Sequence, residues 1–208
     1  MCHSIMQCSI GCCTSVLFGE VVDDEVKAVL SKGLQAVGWE SKKPELQSMV
    51  ISKLQGIMLD ARDYSRDYNR QRDARVALLN IGDDFTIKDT IRRYRRNYFD
   101  RRNMAKVIES TTQPLLIPLL AEDLASSEPA NSLKREGEVI VGPRSVTSSA
   151  VICKLLENIP NINLEVKKWA RQTSPRKPEE LLEQVRIFWK ENERAFMKED
   201  YAAVLVPE

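Results

Sequence analysis

The side chains with the clearest capacity for chemistry in this sequence are arginines, and they are concentrated in one stretch. Between Arg62 and Lys106 there are eleven Arg, two Lys and seven Asp, a local net charge of +6. The remaining residues carry 18 cations and 23 carboxylates, so the overall formal charge of +1 hides a strong segregation. Guanidinium groups bind phosphate through paired hydrogen bonds and stay charged at any relevant pH. The stretch therefore predicts an anion-binding surface.

The pattern is sharpest in the second half of this stretch. At about 100° per residue, six cations fall within an arc of roughly 120° beside an apolar stripe. These candidate phosphate contacts are Lys88, Arg92, Arg95, Arg96, Arg102 and Lys106. Three earlier arginines at i, i+4 and i+8 spacing would widen the surface, namely Arg62, Arg66 and Arg70. Tyrosines 64, 68, 94 and 98 could offer stacking platforms for bases, although core packing also accounts for them.

These cations favour a non-enzymatic helical protein that binds RNA, or another single-stranded nucleic acid or polyanion. Because the available groups suit phosphates, we expect largely sequence-independent binding, by a homo-oligomer or a subunit of a larger assembly. The alternative is a protein-interaction or scaffold subunit whose basic ridge docks an acidic partner or this chain's own acidic residues. For residues 62–75 a plain solvated surface is as good an interpretation, because Asp63, Asp67 and Asp73 alternate with the arginines.

Catalytic and cofactor-binding patterns are weak in this sequence. His3 is the only histidine, which removes the commonest general base from the rest of the chain. The eight glycines form no phosphate-cradling loop, so we expect no enzyme activity and no cofactor. Five N-terminal residues could supply metal ligands or acylation sites, namely Cys2, His3, Cys8, Cys12 and Cys13. Their spacing does not fit the paired ligands of a zinc site, and we expect neither metal binding nor acylation.

The sequence predicts a cytoplasmic protein. Four of the five cysteines lie in the first thirteen residues, which is unlike a secreted disulfide framework. No Lys or Arg occurs in the first nineteen residues, so the basic region of a signal peptide is missing. No apolar run reaches the roughly 18 to 20 residues of a membrane span. We therefore expect no transmembrane segment, and we do not favour membrane tethering through the N-terminal cysteines.

The spacing of apolar residues indicates that the elements positioning these cations are helices. It predicts an all-α fold, an irregular bundle of about seven helices with a long central helix and little or no sheet. The central helix would span 44–80, unless it breaks between residues 64 and 75. The six-cation ridge would lie on a single helix from 83 to about 110. One short strand is expected at 138–141.

Composition divides the chain into four parts. Residues 1–20 form a cysteine-rich tail that we expect to be flexible. Residues 21–126 form an N-terminal helical domain with the arginine-rich helices. Pro, Gly and polar residues make 127–146 a linker, and 147–208 form a C-terminal helical subdomain.

Overall fold

Nine α-helices and one two-stranded hairpin occur in the part of the chain that the computed structural model describes. It describes residues 10–60, 68–126, 134–136, 139–141 and 143–207, with backbone alone for 10–18 and the strands. The helices are α1 (Ile10–Lys32), α2 (Pro44–Leu59), α3 (Tyr68–Ile81), α4 (Asp84–Arg96), α5 (Tyr98–Glu109), α6 (Leu116–Ala121), α7 (Arg144–Asn158), α8 (Leu164–Thr173) and α9 (Pro178–Met197). Short 3-10 helices occupy Trp39–Ser41, Glu122–Ala125 and Tyr201–Ala203.

The chain forms two units, Met1–Leu78 and Leu79–Glu208, which divide inside α3, upstream of the predicted linker. In the first unit α1 packs against α2. Their contact buries apolar residues at helical spacing: Val22, Val26 and Val29 on α1, and Val50, Leu54 and Met58 on α2. Gly33, at φ 80°, lies directly after α1, in a conformation that favours glycine. The helix itself begins at Ile10, so residues 10–20 of the predicted tail are helical.

The predicted long central helix over 44–80 is not a single helix. α2 ends at Leu59, where Asp60 takes an extended backbone with ψ 108°, and α3 begins at Tyr68. The buried stripe of α2 ends at Met58, and among the described residues burial resumes only at Ala74. A helix continuing through this polar stretch would have had no buried face to stabilise it.

In the second unit, α7 occupies the centre. It contacts α5, α6, α8, α9, β2 and the Glu122–Ala125 helix, and eleven of its fifteen residues are buried. On α9, Phe188 stacks on Trp169 of α8 with ring centroids 4.8 Å apart. The helix at the centre of this unit is therefore α7 rather than the predicted 44–80 segment.

A two-stranded antiparallel hairpin lies within the predicted linker. β1 (Lys134–Glu136) pairs with β2 (Val139–Val141), and Arg135 is opposite Ile140. The second strand lies where a short strand was expected. The prediction of an all-α fold with little sheet is confirmed, whereas its details of about seven helices and a long central helix are not accurate. None of the described helices combines the length and apolarity needed to cross a bilayer.

The predicted single helix from 83 to 110 is broken at Asn97. α4 ends at Arg96, Asn97 is extended at φ −159° and ψ 176°, and α5 begins at Tyr98. The Asn97 carboxamide oxygen accepts a hydrogen bond from the Asp100 backbone N–H at 2.9 Å, so Asn97 caps α5. Asp83 caps α4 in the same way, accepting from the Thr86 N–H at 2.9 Å.

Candidate nucleic-acid interface

The solvent-facing side of α4 carries a row of three cations one turn apart. Lys88, Arg92 and Arg96, here called the cationic row, follow i, i+4 and i+8 spacing, and all three are exposed. The opposite side holds the row outward because Ile87, Ile91 and Tyr94 are buried. Phe85, half exposed, lies within about 80° of the row on the helix surface.

Each member of the cationic row contacts a nearby carboxylate. The Lys88 ammonium lies 2.5 Å from Asp84 Oδ2, and both side chains are about three-quarters exposed. Arg92 Nη2 lies 2.6 Å from Asp89 Oδ1 with 77% of its side chain exposed. Arg96 Nε lies 2.5 Å from Asp100 Oδ2 with 63% exposed. The Lys88–Asp84 pair is exposed at both ends and contributes roughly 0.2 to 1 kcal/mol, so an incoming anion can replace it at small cost. In the other two pairs the arginine is exposed and the carboxylate is not.

The carboxylates keep partners when an arginine of the row turns away. Asp89 is buried, but it also accepts a hydrogen bond from Arg93 Nε at 2.9 Å. Asp100 also accepts one from the Asn97 side-chain nitrogen at 2.7 Å. Leaving a buried carboxylate without a partner would cost far more than breaking an exposed pair. The local pairing is therefore compatible with exchange of a carboxylate for a phosphate.

Arg95 has a different environment from its neighbours in the predicted ridge. It is only 29% exposed, and its Nε lies 3.1 Å from Oδ1 of Asp123, a carboxylate that is 6% exposed. Its Nη2 donates to Leu119 O at 2.6 Å and to Glu122 Oε2 at 3.0 Å. Burial raises the pKa of Asp123, while the charge of Arg95 opposes that rise. Arg95 thus joins α4 to the acidic turn after α6.

The cations on α5 are less exposed than the cationic row. Arg102 and Lys106 are half-buried, and Arg101 is buried. Phe99 shares a helix face with Arg102 and Lys106 at i+3 and i+7. With 73% of its surface exposed, Phe99 is the most exposed large hydrophobic residue among those described.

Of the three earlier arginines in the predicted site, the structure describes only Arg70. Arg62 and Arg66 lie outside the described residues. Arg70 is exposed near the start of α3, in the first unit.

Of the tyrosines that the structure describes, neither of the two on α4 and α5 is an exposed stacking platform. Tyr94 is fully buried and hydrogen bonds to Ser148 across 3.0 Å, and its burial raises the pKa of the phenol. Tyr98 is half-buried, Tyr68 is 38% exposed, and Tyr64 lies outside the described residues. On α4 and α5 the exposed rings are those of Phe85 and Phe99, which were not among the residues predicted from the sequence. Both phenylalanines lie outside the predicted apolar stripe, and an aromatic residue outside the buried face was the signal that could have identified them.

The cysteines add no defined site. Cys2, His3 and Cys8 lie outside the described residues, and Cys12 and Cys13 are described only as backbone of α1. Cys153 is fully buried in α7, and its burial raises the pKa of the thiol to about 12, so the thiol is protonated at neutral pH. Within the described ranges no cluster of three or more His, Cys, Asp and Glu could hold a metal ion.

Comparison with known proteins gives this chain no relatives. No family model matches it, and neither a curated protein nor a solved structure is significantly similar to it.

Proposed function

We propose that this chain is an RNA-binding helical protein that contacts phosphates through the cationic row of α4. The observation that carries the proposal is the alignment of Lys88, Arg92 and Arg96 along one exposed face, with a rise of about 6 Å between successive members. That rise is comparable with the distance between neighbouring phosphates of one strand. Phosphate contacts carry no base information, so the binding is largely sequence-independent and requires no catalytic group.

The surroundings of the row support an anion as its ligand. Across α4 and α5, residues 84–109 carry eight cations and four carboxylates, a net charge of +4. Arg102 and Lys106 extend the surface on α5. We assign Arg95 a structural role instead, because its guanidinium already has three acceptors within the second unit.

The test replaces the row with the triple variant Lys88→Gln, Arg92→Gln and Arg96→Gln. Binding to a fluorescein-labelled oligouridylate is measured by anisotropy at several salt concentrations. Each single-strand phosphate contact contributes about −0.7 to the slope of log binding constant against log salt, so the triple variant should have a slope shallower by about 2. Its affinity at low salt should fall by at least about tenfold.

A matched control is available on α9. Lys190 and Arg194 on this helix and Lys198 directly after it have the same i, i+4 and i+8 spacing and are also exposed, so their triple Gln variant removes the same charge. Exposed glutamates lie beside them at Glu191 and Glu193, which makes that surface unsuitable for a polyanion. The control should bind RNA like the wild type. Equal losses in both variants would indicate a general charge effect and contradict the proposal.

The competing function is a scaffold whose basic surface meets an acidic partner or a second copy. Arg95 favours it, because this member of the ridge does bind a pair of carboxylates, Asp123 and Glu122. If the α4 triple variant retains RNA affinity but changes the sedimentation coefficient of the protein, the scaffold function is the better one. Replacing Arg92 and Arg96 separates the two functions more cleanly than replacing Arg95, whose loss would also weaken the fold.

A further inference from the structure

Phe99 is the exposed aromatic ring in the middle of this basic region. It lies in the first turn of α5, and its ring meets that of Tyr98 edge to face, with centroids 5.8 Å apart and planes at 86°. Despite this contact, 73% of Phe99 is exposed. A single exposed apolar residue needs no explanation by itself. The cationic side chains near the ring in the sequence suggest a ligand for Phe99.

Cations lie on both sides of Phe99 along the chain. Arg96 precedes it by three residues and reaches across the Asn97 break to Asp100, the residue directly after Phe99. Arg102 follows it by one helical turn, and Lys106 by two, on the same face of α5. The ring is therefore bracketed by groups suited to phosphate. Phe85 also has cations at i+3 and i+7, Lys88 and Arg92, but Asp83 and Asp84 precede it where Arg96 precedes Phe99.

We propose that an unpaired base stacks on Phe99 while Arg96 and Arg102 bind the phosphates on either side of that nucleotide. This inference rests on the proposed RNA-binding function and adds the class of ligand, a single strand rather than a duplex. A base inside a duplex has both faces covered by its neighbours and cannot offer one to Phe99. Stacking on an aromatic side chain tolerates any base, since every base has a π face, which agrees with sequence-independent binding.

Charge complementarity selects this ligand over an apolar protein surface. The net charge of +4 over residues 84–109 attracts a polyanion to the surface around Phe99, which an apolar partner would not use. A single-stranded nucleic acid supplies a flat ring and two anions together, at the spacing of one nucleotide.

The experiment compares the full-length wild type with Phe99→Leu, which keeps an apolar side chain but removes the π face. Three fluorescein-labelled probes of equal length are titrated: oligouridylate, an abasic ribose-phosphate strand, and a duplex RNA. The wild type should bind the oligouridylate more tightly than the abasic strand. Phe99→Leu should weaken oligouridylate binding by about 5- to 100-fold and leave abasic-strand binding unchanged.

Two further variants sharpen the test. Phe99→Trp restores a stacking ring, so it should recover oligouridylate affinity, and its added fluorescence should be quenched by oligouridylate and not by the abasic strand. Phe85→Leu is the matched comparison, an exposed phenylalanine on the first turn of the preceding helix; because carboxylates rather than an arginine precede it, its loss of oligouridylate affinity should be smaller than that of Phe99→Leu. Equal losses in Phe85→Leu and Phe99→Leu would overturn the assignment to Phe99.

The outcomes separate this inference from the function on which it rests. If the wild type binds oligouridylate and the abasic strand equally, and Phe99→Leu changes neither, base stacking is refuted and the phosphate-binding function stands. If the wild type binds none of the probes at low salt, the proposed function itself is refuted. If Phe99→Leu instead lowers the melting temperature or changes the oligomeric state without RNA, Phe99 is a packing or protein contact and the inference is overturned.

Discussion

At the scale of single residues, two arginines of one helix differ in what surrounds them. Arg92 and Arg95 both fall in the basic arc predicted from the sequence, yet 77% of the first side chain and 29% of the second are exposed. The acceptor that distinguishes them, Asp123, lies 28 residues beyond Arg95. Helical periodicity places side chains on a face, but it cannot show which distant carboxylate packs against that face. The cations of the candidate site could therefore be predicted, and their separate roles could not.

Replacing Arg95 by Met should destabilise the fold more than the same change at Arg92. Without Arg95, the buried Asp123 retains Arg144, whose Nη1 is 4.0 Å away. Because Arg95 is partly exposed, we expect a loss of about 2 kcal/mol in the free energy of unfolding. Arg92→Met should cost less, about 0.5 kcal/mol, since the Arg92 side chain is 77% exposed and the buried Asp89 keeps its contact with Arg93. Urea unfolding monitored by circular dichroism measures both, and equal losses would contradict the structural role of Arg95.

The destabilisation by Arg95→Met should depend on pH. Burial already raises the pKa of Asp123, and removing Arg95 raises the folded-state value further above that of the unfolded chain. The folded variant then binds a proton more readily than the unfolded one, so its stability falls as the pH rises through this range. The difference from wild type should be largest at neutral pH and should shrink as the pH falls through the pKa of Asp123 in the folded variant. Adding Asp123→Asn to the variant should remove this extra dependence.

At the scale of the elements, the break at Asn97 divides the predicted ridge between two helices. The apolar spacing does not predict this break, because apolar residues keep helical spacing on both sides of it, from Ile91 to Ile108. Asparagine competes for backbone N–H groups through its side chain, and that favours a cap over a continuous helix. Whether the cap or the continued helix is more stable depends on how α5 packs against α7, which is a contact between distant parts of the chain.

Asn97→Ala should test the cap directly. It removes the acceptor for the Asp100 N–H and should lower the free energy of unfolding by about 1 kcal/mol. Asn103→Ala, at a half-buried position inside α5, is the control and should have a smaller effect, because alanine has the higher helix propensity there. Urea midpoints of the two variants provide the measurement. A loss no greater for Asn97→Ala than for Asn103→Ala would mean that the cap contributes little.

At the scale of the whole molecule, the all-α class follows from periodicity alone, whereas the division into units does not. Composition predicts a linker at 127–146, part of which lies outside the described residues, and the two units that contacts define divide inside α3. The local composition and periodicity of the sequence do not predict where units divide, because units are defined by contacts between residues far apart in sequence. For the same reason, the central position of α7 in the second unit could not be predicted from the sequence.

Hydrogen exchange should rank the helices of the second unit by burial. Eleven of fifteen residues of α7 are buried, against three of ten in α8. Amides of α7 should therefore exchange most slowly, approaching the rate set by global unfolding, and those of α8 should exchange sooner through local opening. Mass spectrometry of peptic peptides from each helix measures this. Faster exchange in α7 than in α8 would contradict its place at the centre.

The Arg96–Asp100 contact gives the junction at Asn97 a thermodynamic consequence. Arg96 belongs to α4 and Asp100 to α5, so their ion pair spans the break between the two helices. A phosphate that draws Arg96 away removes that bridge and leaves Asp100 with the Asn97 side chain. Occupancy of the surface and stiffness of the junction are therefore linked, and linkage is reciprocal. Any change that loosens the bridge in the free protein should release Arg96 in advance and strengthen the proposed anion binding.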